Sequence, residues 1–200
     1  MTYIDEHFPE LLSDQVEKLL KYQKLICEWN DKINLVSRQD IGNFLKRHVA
    51  PCLCINRVLS FPVGAQVIDV GTGGGLPGLP LAITNPSAKF YLIDSIGKKI
   101  VAVKDMVEKL GLLNVNVEHV RAEQISKKFD YIIARAVTNL PNFLHHIRHL
   151  KKDNTRVFYL KGGDFSKELK NISKYRLYNV GEILDDESFS DKVVLEIFNE

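Results

Sequence analysis

Leu12, Val16, Leu19, Leu20, Ile26, Trp29 and Ile33 fall mostly three, four or seven apart, with Lys, Glu and Gln filling the gaps. That spacing predicts a helix over Ser13–Leu35 with one apolar stripe. A second helix is predicted over Ile41–Leu59, broken or delayed at Pro51, whose ring and missing N–H oppose a helix interior. The run FPVG at Phe61–Gly64 is punctuation. It separates a helical N-terminal extension, residues 1–60, from a core of residues 61–200. Beyond it the period shortens. Apolar runs of strand length occur at Gln66–Val70, Lys89–Ile93, Asn114–His119, Tyr131–Ala134 and Arg156–Leu160. Helical patterns fall between most of them, at Gly78–Thr84, Lys98–Leu110 and Leu140–Leu150. A last helix over Phe165–Tyr175 precedes two further strands, Arg176–Leu184 and Lys192–Phe198, joined by the polar stretch DDESFSD.

Strands alternating with helices imply right-handed βαβ units and a mostly parallel sheet covered on both faces. The fold class read from this pattern is α/β, doubly wound and Rossmann-like, with an antiparallel C-terminal edge. One domain of 1–200 accommodates it, and 200 residues suffice for a substantial core.

Composition narrows the class. The hydrophobic fraction of 45% and charged fraction of 26% are those of an ordinary globular protein. A formal net charge of +2 excludes a strongly basic protein and confines any nucleic-acid footprint to a local face. Cys27, Cys52 and Cys54 form no paired metal-site spacing and read as reduced, buried thiols; no metal is expected. The N-terminus lacks a basic segment followed by an apolar one, and no run approaches the roughly 18 apolar residues of a membrane span. The expected location is cytoplasmic.

Candidate chemistry gathers at VIDVGTGGGLPGLPL, Val67–Leu81. In doubly wound sheets ligands bind beyond the carboxyl ends of the strands, usually at the first βα turn. Two cofactor classes compete for this turn. Gly73-x-Gly75-x-x-Gly78 matches a dinucleotide fingerprint, with Asp94 about 20 residues further on to hold a ribose. Gly71-x-Gly73-x-Gly75 instead suits S-adenosylmethionine, with Asp94 again ending the second strand to take the ribose hydroxyls. Position favours the methyl donor, because Gly71 abuts the strand directly. No GxxxxGK pattern follows, which excludes a phosphate-binding P-loop.

DVGTGGGLPGLPLAI, LIDSIGKK, RAEQI, FDYIIARAV and LKGG together resemble the small-subunit ribosomal RNA guanine-N7 methyltransferases of the RsmG (GidB) type. WNDKINLVSRQD and FLKRHV are similar to the segment preceding that family's core. The resemblance runs from about Trp29 to Gly163. It implies a class I S-adenosylmethionine-dependent enzyme that methylates guanine N7 in 16S ribosomal RNA. It also implies cofactor contacts at Gly71, Leu76, Ala122, Glu123 and Arg135, beside the Gly73 and Asp94 read from the turn itself. Two departures stand out: Gly73-Gly74-Gly75 replaces the family's usual Gly-Pro-Gly, and Pro51-Cys52 replaces its usual Asp-Ser after Arg47-His48.

Guanine N7 has an exposed lone pair and no proton to lose, so no general base is expected, and Arg135 is assigned a positioning role. The partner implied is 16S ribosomal RNA or the small subunit, met by a monomer. Arg38, Lys46, Arg47 and Lys161 are the RNA-binding candidates. Lys98-Lys99 and the run HHIRHLKK, His145–Lys152, are weaker ones, because such a run commonly ends a solvated helix. Phe44 and Phe165 read first as core residues and second as stacking partners. Competing functions are a small-molecule methyltransferase with an N-terminal lid, an NAD-binding oxidoreductase and a non-catalytic RNA-binding protein.

Overall fold

A computed structural model describes residues 2–37, 39–170 and 172–198. Seven strands are present: β1 (Gln66–Val70), β2 (Lys89–Asp94), β3 (Val115–His119), β4 (Phe129–Arg135), β5 (Lys151–Gly162), β6 (Tyr175–Asn179) and β7 (Lys192–Ile197). The helices are α1 (Tyr3–His7), α2 (Ser13–Asn30), α3 (Ala50–Val58), α4 (Gly78–Thr84), α5 (Gly97–Leu110), α6 (Leu140–Ile147), α7 (Ser166–Leu169) and α8 (Val180–Leu184). The strands form one sheet in the order β3-β2-β1-β4-β5-β7-β6. The first five run parallel, and β7 pairs antiparallel with both β5 and β6. Chain order reverses between β1 and β4, and a cleft opens at the carboxyl side of such a switch point.

Both faces are covered. Val67, Leu92, Ile133, Phe158 and Val194 join one apolar cluster with Leu19, Ile26, Leu53, Leu79 and Val103 from α2, α3, α4 and α5. Ile68, Ile93, Ile132, Val157 and Leu195 face the opposite way and meet Leu140, Phe143 and Ile147 of α6. The N-terminal helices are thus built into the main core. Burying each such side chain contributes about 1.5–3 kcal/mol.

Several elements differ from the sequence reading: α1 is not among the predicted helices, α6 ends at Ile147 and a 3₁₀ turn follows, and β5 runs from Lys151 to Gly162 rather than Arg156–Leu160. α2 stops at Asn30, short of Leu35, because the Asn30 carboxamide oxygen accepts the backbone N–H groups of Leu35 (2.8 Å) and Val36 (3.0 Å) and bends the chain. Residues 41–58 are helical nearly throughout, but in three pitches: a 3₁₀ turn at Ile41–Asn43, a π-helical segment at Leu45–Val49, then α3. Pro51 has no N–H to offer Arg47, and the wider π turn carries the chain past that missing bond. α7 is only four residues long. β6 ends at Asn179, whose side chain accepts from the Glu182 N–H (3.2 Å) and caps α8 where the sequence reads as strand.

Candidate functional site

The turn after β1 is fixed by two buried carboxylates. Asp69, inside β1, accepts from the Thr72 hydroxyl (2.6 Å) and the Gly78 N–H (2.9 Å), both on Oδ2. Its other oxygen has no hydrogen-bond partner. Burial pushes the Asp69 carboxyl up to about 7, against the opposing pull of those two donors. Asp94, ending β2, accepts from the Gly73 N–H (3.0 Å) and the Ile96 N–H (2.9 Å). From outside, the Tyr22 hydroxyl of α2 donates to the Gly74 carbonyl at 2.8 Å. Gly71 sits at φ +73°, and a Cβ there would lie 2.9 Å from a Val137 methyl. The third glycine of the dinucleotide register, Gly78, spends its N–H on Asp69, and a Cβ on it would stand 2.6 Å from that carboxylate.

A cavity of about 270 Å³ opens beside this turn, at the carboxyl ends of β1 and β2, and is walled by Gly71, Asp94, Lys99, Ala122, Glu123 and Val137, among others. Asp94 uses one of its roughly four lone-pair sites on the glycine turn and one on the Ile96 N–H after β2, so two remain for hydroxyl donors. The Glu123 carboxylate meets the His146 ring at 2.7 Å, and His149 meets the Ala122 carbonyl at 3.0 Å, so α6 and the turn after it brace this wall. The Tyr159 hydroxyl accepts from Val137 N–H (2.9 Å) and donates to Thr138 carbonyl (3.0 Å), holding the segment opposite Gly71.

A second cavity, about 140 Å³, lies next door among β4, β5, β7 and the turn before α3. Arg47, Pro51, Arg135, Lys161 and Lys192 line it. Ala136, at φ +50°, lines both cavities and stands between them. Each cation has an anchor: Arg47 on Asp40 (3.2 Å), Lys161 on Glu168 (2.5 Å), Lys192 on Asp191 (3.6 Å). Arg135 is held instead by His48, through Nδ1 and through the carbonyl oxygen at 3.3 Å. A larger cavity, about 640 Å³, lies at the opposite rim, where Lys89 and Val115 begin β2 and β3. That is the amino end of the strands, away from the switch point.

The sequence-derived residues therefore divide. Gly71, Asp94, Ala122 and Glu123 converge on the first cavity, with Gly73 bonded to Asp94 at its edge. Leu76 does not join them; its side chain is buried in the core. Arg135 borders the second cavity instead, and pairs with neither Asp94 nor Asp130, the latter being held by Lys152 and the Gln66 N–H. Arg47 and Lys161 meet there too. Lys46 points away: its ammonium lies 2.8 Å from Asp186 and over the ring of Tyr3. Arg38 lies outside the described residues. Phe44 is fully buried. Sequence reasoning missed Asp69 and Lys192, and it took His48 only as a member of the basic cluster Lys46-Arg47-His48, a candidate for RNA contact. For Asp69 the signal was an acid inside the apolar strand VIDV; for the other two only the folded chain supplies the neighbours.

A family model described as GidB, rRNA small subunit methyltransferase G, matches residues 15–184. A ribosomal RNA small subunit methyltransferase G of Flavobacterium johnsoniae is 44% identical over 203 residues, covering 98% of this chain and 97% of the relative. Another, of Bacteroides fragilis, is 38% identical over 204 residues, covering 98% and 99%. Among solved structures, an S-adenosylmethionine-dependent O-methyltransferase from Thermotoga maritima aligns with a TM-score of 0.62 at 16% identity, over 80% of this chain and 70% of that one. A methyltransferase from Aquifex aeolicus, likewise S-adenosylmethionine-dependent, aligns at 0.53 and 22% identity, over 77% and 92%. These two likenesses bear on the fold.

Proposed function

Because this chain belongs to the GidB family of small-subunit ribosomal RNA methyltransferases, we propose that it methylates guanine N7 in 16S ribosomal RNA, with S-adenosylmethionine as donor. The observation that carries the reading is the pair of adjoining cavities with one residue, Ala136, between them. One is bordered by a glycine-rich turn and a buried carboxylate with lone pairs to spare. The other is ringed by cations. A nucleoside-bearing donor fits the first, and a polyanionic acceptor fits the second.

When bound, S-adenosylmethionine supplies an electrophilic methyl group on a sulfonium. The chain's own task is alignment. Asp94 would accept the ribose hydroxyls, and the bare backbone at Gly71 would let the donor lie against the turn. Ala122 and Glu123 would border the adenine end. Arg47, Lys161 and Lys192 would hold RNA phosphates, and Arg135, beside the dividing Ala136, would orient the acceptor through its fork of N–H donors. N7 attacks with its own lone pair, so no side chain has to take a proton, and holding the partners in line is the whole catalytic contribution.

The test is chemical strand scission at N7-methylguanine in ribosomal RNA from cells with and without the protein. One scission site in small-subunit RNA should vanish on deletion, return with the wild-type chain and return only in part with Asp94→Ala. An unchanged scission pattern would overturn the reading.

A further inference from the structure

We propose that His48 is a positioning residue for the transfer step, acting by fixing Arg135 in the lining of the cation-ringed cavity, next to Ala136, which divides the two. The proposal rests on the methyl-transfer reading above and deepens it. A guanidinium has donors and no acceptor, so the His48 Nδ1 that meets Arg135 must present its lone pair. The ring is therefore neutral, with its proton on Nε2, which lies 3.8 Å from an Asp40 oxygen and makes no hydrogen bond. The groups facing the ring are Arg135 from β4, Asp40 and Arg47 from its own segment, and Lys192 from β7. Burial, then Arg135, push the imidazole down to about 4, so it stays an acceptor across the neutral range.

The main chain contributes the second anchor. The His48 carbonyl accepts from Arg135 and also from the Cys52 thiol at 3.0 Å. It lies in the π-helical segment just ahead of Pro51, where the regular i→i−4 ladder is interrupted. One residue thus presents two acceptors, a ring nitrogen and a carbonyl, to one guanidinium. His48 is buried, at 7% exposure, and a packing role alone would not explain a buried imidazole turning its lone pair to the cation at the cavity wall. Pro51 lines that same cavity, so the departure from the family's usual Asp-Ser falls beside this pair.

The experiment compares wild type, His48→Leu, His48→Asn, Arg135→Ala and the His48→Leu/Arg135→Ala double variant. Donor affinity is read by calorimetry, folding by thermal melting, and kcat/KM for small-subunit RNA by labelled methyl transfer. His48→Leu should lower kcat/KM for RNA roughly ten- to a hundredfold, the worth of a charge-assisted hydrogen bond, with donor Kd within about twofold. His48→Asn carries an acceptor oxygen at the reach of Nδ1 and should recover most of that loss. In the Arg135→Ala background, His48→Leu should cost nothing further. An equal loss in both backgrounds, or no rescue by a folded His48→Asn protein, would make His48 a packing residue and overturn the proposal. A wild-type protein that binds donor yet transfers no methyl to small-subunit RNA would overturn the functional reading, and the proposal with it. A wild-type protein that transfers and a His48→Leu protein that matches it would overturn the proposal alone.

Discussion

Gly71→Ala introduces one methyl group at the point where β1 meets the cavity, and the structure separates its cost into two parts. The first is conformational. The residue sits at φ +73°, where an L side chain costs about 1–2 kcal/mol. The second is steric: the new Cβ would stand 2.9 Å from Val137 Cγ2, an overpacking of the kind that costs about 1–3 kcal/mol. Val137 is 41% exposed and free to give way in part, which places the second contribution toward its lower end. The expected total is about 2–4 kcal/mol, divided between lost stability and lost donor affinity. Wild type, Gly71→Ala, Val137→Ala and the double variant, measured by denaturant unfolding and donor calorimetry, resolve the two. Val137→Ala removes both methyl groups but leaves φ untouched, so the double variant should recover the steric part and keep the conformational one. The single effects should therefore be non-additive. A Gly71→Ala protein as stable as wild type and binding donor equally well would refute the account of this turn.

Three further outcomes follow from the same geometry. Asp94→Ala should weaken donor binding roughly ten- to a hundredfold, since it loses charge-assisted acceptors as well as the Gly73 anchor, and unchanged calorimetry in a folded variant would remove Asp94 from the site. Asp69 has a carboxyl raised when folded, from 3.8 to about 7, so the folded state holds the extra proton between those values and stability is lost as pH rises through about 7. Asp69→Asn, which cannot ionise, should gain on wild type between pH 5 and 8 in chemical denaturation; parallel stability curves would contradict the assignment. Charge reversal at Lys161 or Lys192 should flatten the dependence of log RNA affinity on log salt, by up to about one for each phosphate no longer neutralised. Lys46→Gln should leave that slope alone, because its ammonium lies outside the cation-lined cavity, against Asp186 and over the Tyr3 ring, and a slope that moves with Lys46 would reverse the assignment of the basic face.

The strand and helix order was legible because it depends on local period: Gln66–Val70 and Gly78–Thr84 emerge with the bounds the pattern predicts. The turn between them was legible for the same reason, since glycine freedom after a strand is a local signal. What escaped was decided through space. The end of α2 depends on where the Asn30 side chain folds back, and α8 on Asn179 capping a segment whose apolar content suits a strand equally well. Arg135 was legible as a strand-end cation, but its direction depends on a histidine far away in sequence, held by a π turn that no periodicity announces. The resemblance supplied Leu76, and the fold places that side chain in the core.

The position of β7 between β5 and β6 has a consequence for how the protein assembles. Both neighbours precede it along the chain, yet neither pairs with the other. Until β7 inserts, β5 shows an open edge and β6 has no sheet to join, so the described strands cannot close in the order in which they occur. The last insertion is also what brings Lys192 up beside Lys161, through the pairing of Lys161 with Val193 and of Gly162 with Lys192. A chain arrested before that step would carry a formed glycine turn and half a basic cavity, with the open edge of β5 and an unpaired β6 available to another molecule. Donor binding would then report on a folding intermediate as readily as on the finished enzyme, while RNA binding would report on closure of the sheet.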